Sequence, residues 1–85
     1  MSEKLERETR RLQVAWARAM RRARKERGLR QCEVAARAGI VQSQLSKVES
    51  GFFSVSLPRA LRVLAALGLS VRFVPRGEAP TDEQR

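Results

Sequence analysis

Four glycines do most to limit what this chain can fold into. Gly28, Gly39, Gly51 and Gly68 each close a run in which apolar residues recur three, four or seven apart. That period lays one stripe of a helix against a core, and a glycine just past the stripe is a stop signal. The spacing predicts a helix over about 5–27, with Leu5, Leu12, Trp16, Ala19, Met20 and Ala23 inward. A short helix follows over about 31–38, carrying Val34, Ala35 and Ala38 on one side. A third runs over about 42–50 with Leu45 and Val48 inward. A fourth spans about 57–67 with Leu57, Ala60, Leu61, Leu64 and Leu67 in one stripe. Ser56 is a good N-cap for it, and Pro58 is tolerated in its first turn. The highly charged stretch before Arg10 is expected to fray.

After Gly68 the period changes. Leu69-Ser-Val-Arg-Phe-Val-Pro75 is β-prone, with Val71 and Phe73 on one face and Arg72 and Val74 on the other. A lone strand in a helical domain has no ladder partner of its own, so it must pair outside the monomer or stay unformed. Residues 76–85 are polar and expected to be disordered.

The chain has 85 residues and is expected to be one domain. A domain of this size buries only roughly 60–65% of its extended surface, so association with a second copy is the expected source of extra burial. One Cys and no His leave neither a disulfide within the monomer nor a zinc ligand set, and the lone thiol fits a reducing cytoplasm. Cys32 lies near a helix start beside Arg30, which would favour a reactive thiolate, while neighbouring Glu33 opposes it; an incidental thiol is the alternative. No metal or cofactor is expected. No apolar run approaches the roughly 18–20 residues of a membrane span, and the first residues lack the apolar core of a signal peptide. The expectation is a cytoplasmic protein. Neither paired carboxylates in a common pocket nor a phosphate-cradling glycine loop can be picked out, so catalysis is not expected.

Lys and Arg number 18 against 9 Asp and Glu, a net charge of +9. The excess is concentrated: Arg10, Arg11, Arg18, Arg21, Arg22, Arg24, Lys25, Arg27 and Arg30 share their stretch with one acid, Glu26. Such a block attracts polyanions, though it does not by itself separate DNA from RNA or an anionic membrane, and it could also be an ordinary solvated face.

The segment Gln31 to Gly51 carries the chemistry. Two short helices meeting at a sharp turn need apolar residues on both at the crossing, which Val34, Ala38, Ile40, Leu45 and Val48 supply. Ala35 is small where the second helix must approach, and Gly39 can take the positive φ of a tight turn. With Leu45 and Val48 inward, Gln42, Ser43, Ser46 and Lys47 line the outer face of the second helix. These hydrogen-bonding side chains suit base edges in the major groove, and that face holds no carboxylate to repel phosphate.

This segment resembles the Cro/cI-type helix-turn-helix, or XRE family, seen in phage repressors and many antitoxins. The resemblance rests on Gly28-Leu-Arg-Gln31, Val34-Ala-Ala36, Ala38-Gly-Ile40, Gln42-Ser43 and Leu45-Ser-Lys-Val-Glu-Ser-Gly51, and it extends from about Trp16 to Leu69. It implies that Gln42, Ser43 and Lys47 read bases, while Gln31, Arg24 and Ser46 hold phosphates; Arg22 and Arg30, from the basic block, are expected to hold phosphates beside them. It also implies that Arg24 pairs with Glu49. Two departures stand out. Arg30 and Val41 replace the small hydroxyl residues that often cap the two motif helices, and Phe52-Phe53 occupies a loop that is usually polar.

Residues 56–75 are similar to the end of HipB-like antitoxins, in which a final strand pairs with its copy in a second subunit. By that resemblance Leu69, Val71 and Phe73 make a dimer. The expected fold is then all-α and lambda-repressor-like, with four or five helices plus one strand completed across a dimer. Its parts would be a charged helical extension (1–12), a helix-turn-helix domain (13–68), a dimerisation strand (69–75) and a tail (76–85). The expected partners are near-palindromic operator DNA, a second copy and a toxin protein, the protein acting as a repressor of its own operon. A stand-alone phage-type or controller-type repressor and a non-specific nucleic-acid binder remain alternatives.

Overall fold

The computed structural model describes residues 2–52 and 55–75. Four helices fold in chain order: α1 (Glu3–Glu26), α2 (Gln31–Ala38), α3 (Gln42–Glu49) and α4 (Leu57–Ala66). Each ends the same way. The glycine after the helix takes a positive φ, and the amide of the next residue donates to the carbonyl five positions back. Thus Leu29 bonds Arg24, Ile40 bonds Ala35, Phe52 bonds Lys47 and Leu69 bonds Leu64. This closure needs a left-handed residue, and it delivers an apolar residue next in the chain. Leu29 and Leu69 pack against the core, and Ile40 joins it. Phe52 instead stays exposed.

The turn between α2 and α3 is where glycine matters most. Gly39 has φ 72°, and a Cβ there would stand 3.2 Å from the Arg62 guanidinium. Only glycine takes this conformation without strain, so the turn stays tight enough to bring α3 across α2.

α1 is longer at its start than its apolar pattern predicts. The Ser2 hydroxyl accepts from the Leu5 amide at 3.2 Å, and Glu3 and Glu6 place negative charge against the positive end of the helix dipole. The charged stretch expected to fray is therefore helical from Glu3 onward.

The core is assembled from all four helices. Met20, Leu45, Leu67, Val34, Val48 and Val63 are its largest fully buried side chains, each stabilising the fold by roughly 1.5–3 kcal/mol through removal from water. Trp16 is half-buried against them. Two predicted stripes need correction. On α1 it is Ala17, not Ala19, that is buried, and Leu5 and Leu12 are exposed, Leu12 lining an open groove with Leu57 and Ala60 at the start of α4. On α4 Val63 is buried while Leu57 and Leu61 are exposed, which turns the helix by roughly 45°, about half a position, from the expected stripe.

The predicted caps of α2 and α3 behave as their sequence requires. Neither Arg30 nor Val41 caps with its own side chain. The third helical residue reaches back instead: Glu33 accepts from the Arg30 amide at 2.9 Å, and Gln44 accepts from the Val41 amide at 3.4 Å. One orphan amide at each helix start is satisfied this way.

Beyond Gly68 the described chain has no regular structure. Leu69 and Val71 lie half-buried on the core, whereas Phe73 is 95% exposed. The expected strand is not formed within a single chain. The proposed tail 76–85 and the residue Phe53 lie outside the described residues.

Candidate nucleic-acid interface

α2 and α3 cross through Val34, Ala35, Ala38, Leu45 and Val48, all buried. Burying Leu45 and Val48 fixes how α3 is rotated. Residues one helical step away must then face solvent, and Gln42, Ser43, Ser46 and Lys47 are all exposed on that side. The sequence-predicted base readers thus share one open face, with Lys47 its only charge.

Beneath this face runs a chain of polar contacts built around Glu49, the one buried charged residue among those described. Arg24, near the end of α1, donates from Nε and Nη2 to the two Glu49 oxygens at 2.7 and 3.0 Å. Its Nη1 donates to the Leu29 carbonyl at 2.9 Å. Gln31, the first residue of α2, donates its amide to the same carboxylate at 3.0 Å. Gln42, the first residue of α3, donates in turn to the Gln31 carbonyl oxygen at 3.5 Å. One carboxylate therefore ties the end of α1 and the starts of α2 and α3 to the end of α3.

The electrostatics favour the charged pair. Burial pushes the Glu49 carboxyl up, but the hydrogen bonds from Arg24 and Gln31, with the charges of Arg24 and Arg21, outweigh it and hold the group below the usual carboxylate range. The hydrogen bond to Glu49 likewise raises the Arg24 guanidinium, against a smaller opposing effect of burial. An exposed counterpart sits at the start of α2. The Arg30 amide and then its side chain hydrogen-bond to Glu33 and lower that carboxyl.

Arg21, Arg24, Gln31, Ser46, Glu49 and Ser50 line an open polar notch of about 230 Å³ next to the reading face. The structure thus brings Arg24, Gln31 and Ser46 together around one notch. Arg30 lies apart from the notch, exposed and held by Glu33 at 3.2 Å. Arg22 is also exposed, and it projects about 100° round α1 from Arg21, away from the notch. Arg21 is the member that residue-by-residue reasoning missed. It lies three residues before Arg24 on the same face of α1, and that spacing was the available signal.

Among the described residues no helix is long and apolar enough to cross a membrane. No curated protein matches this chain in a sequence comparison. A family model described as helix-turn-helix matches residues 20–74, from Met20 in the core of α1 to Val74 beyond Leu69. That match covers well over half of the chain and includes every element of the crossing. The chain therefore belongs to the XRE-type helix-turn-helix family of DNA-binding transcription regulators.

Proposed function

We propose that the protein is a sequence-specific repressor that binds near-palindromic operator DNA as a homodimer and regulates its own operon. The observation that carries this reading is the reading face itself. Gln42, Ser43 and Lys47 are exposed on a helix whose opposite side is locked by Leu45 and Val48, while Glu49 braces its end and Gln31, accepting from Gln42, its start. In this reading Gln42, Ser43 and Lys47 contact bases. Arg24, Gln31 and Ser46 hold a phosphate beside the notch, with Arg21 adding charge, and Arg22 and Arg30 contact the backbone further out.

Dimerisation is assigned to Leu69, Val71 and Phe73. Phe73 is a large apolar side chain at 95% exposure, and residues 71–75 form no strand or helix among the described residues. A second copy pairing there would satisfy both and supply the two-fold symmetry that a palindrome demands. The end of the chain resembles HipB-like antitoxins, and on that resemblance we assign the protein as the antitoxin of a toxin–antitoxin pair.

The test is titration against duplex DNA from immediately upstream of its own coding sequence. Gln42→Ala should change which sites are preferred, and Arg24→Ala should weaken all of them. Unaltered preference in Gln42→Ala would place base reading elsewhere. Co-expression with the adjacent gene product tests the antitoxin assignment; failure to form a complex would leave a stand-alone repressor.

A further inference from the structure

The first 17 residues of α1 precede the family match, yet their charges continue a pattern that runs into it. Lys4, Arg7, Arg11, Arg18, Arg22 and Lys25 follow one another at spacings of three, four, seven, four and three. Residues so spaced lie along one side of a helix. All six are exposed, and Glu3 lies 3.9 Å from Arg7. The pair is open to water, so it costs Arg7 little of its availability. At about 1.5 Å per residue the stripe is about 31 Å long, the length of about nine base pairs at about 3.4 Å each.

The stripe is anchored to the candidate interface through one residue. Arg18 lines a second notch together with Arg21, Glu49, Ser50 and Gly51, at the end of α3. The Val14 side chain packs over that same turn, 3.7 Å from where a Gly51 Cβ would stand. At Arg18 the edge of the cationic face therefore borders the notch at the end of α3, while Arg22 projects away from it.

We propose that this stripe is a second DNA-contacting surface, in which the extension of α1, through Arg7 and Arg11, holds backbone phosphates of the duplex flanking the base-read site. The inference rests on the DNA-binding reading above. It makes the footprint longer than the helix-turn-helix alone would give, with no added base specificity, because cations along one helix face meet phosphates and not base edges.

The test compares the full-length protein with R7Q/R11Q, glutamine keeping the helix propensity of α1. Affinity is measured against salt on two duplexes carrying the same site, one trimmed to the site and one with about ten further base pairs on each side. On the long duplex the variant should show a log–log salt slope shallower by about 0.9 for each arginine lost per bound protomer. On the trimmed duplex the two proteins should agree, and R7K/R11K should restore the slope. An unchanged slope on the long duplex, with helicity retained by circular dichroism, overturns the proposal, as does an equal loss on both duplexes or a failure of the lysine variant to restore it. If the wild-type protein binds neither duplex, the DNA-binding reading fails along with it.

Discussion

Arg24 and Glu49, on different helices, meet through two hydrogen bonds of 2.7 and 3.0 Å, and this pair sets the geometry of the candidate interface. The side chains are only 12% and 4% exposed. Removing one partner of a buried pair strands the other charge, at a cost of about 3–5 kcal/mol. Glu49→Gln should therefore lower stability by about 3 kcal/mol, the smaller figure because Arg24 retains the Leu29 carbonyl. The melting temperature should fall by more than about 10 °C, readable by thermal circular dichroism. A drop of only a degree or two would show that the pair is a bystander.

The same pair sets the behaviour in acid. Glu49 is held below its ordinary value in the folded state, so the unfolded chain binds a proton there first as pH falls. Its contribution is fully present above the ordinary carboxylate range and is lost as pH drops through the lowered folded value. Stability should be flat near neutrality and decline below about pH 4.5, and the Glu49→Gln profile should be less steep over that window. Denaturant melts across pH 3–6 would check this; parallel profiles would contradict it.

Leu45→Ala separates support from contact. Leu45 is fully buried beneath the reading face, so truncation should cost about 2–5 kcal/mol. Lys47→Ala, two residues on and exposed, should stay within about 0.5 kcal/mol of wild type in stability while losing DNA affinity. A pair of denaturation curves and a pair of binding isotherms decide it. Comparable destabilisation in both would mean that Lys47 supports the fold.

Gly39→Ala tests the turn. A positive φ of 72° is strained for alanine, while the crowding atom is the movable end of Arg62. The loss should be about 1–2 kcal/mol, with backbone strain as its cause. Arg62→Ala in the same background should recover little of it. Near-complete recovery would make the Arg62 contact, and not the backbone, responsible.

Truncation after Gly68 removes Val71 and Phe73 and should yield a monomer by sedimentation with weakened operator affinity. Leu69 and Val71 also pack on the core, so Phe73→Ser is the cleaner companion: its side chain is 95% exposed. Phe73→Ser should dissociate the dimer without lowering monomer stability. A truncated protein that remains dimeric would rule out the strand-paired arrangement.

The helical framework was readable because its signals are local. Glycines mark each helix end, and the closure they allow is a property of a few consecutive residues. Leu45 and Val48 orient α3 by period alone, which made Gln42, Ser43 and Lys47 legible as an outward face. Glu49 was not legible that way, since no local pattern tells that an acid ending one helix is buried against an arginine twenty-five residues earlier; only the family resemblance pointed to the pair. Leu5, Leu12, Leu57 and Leu61 misled for a related reason. Their spacing is helical, but which parts of α1 and α4 are covered is decided by neighbours distant in sequence. The strand expected at 69–75 is a different case: the described chain has no regular structure there, and a lone strand has no ladder partner within the helical domain.

The central claim is that α3 reads DNA sequence in a two-fold arrangement. Selection from a random duplex pool at physiological salt, followed by sequencing of the retained DNA, tests it most directly. The account predicts enrichment of a near-palindrome with half-site centres about 10–10.5 base pairs apart or a multiple of that, with the preference altered in Gln42→Ala. Binding of the pool at low salt with nothing enriched would contradict it, leaving charge alone as the basis of attachment to DNA.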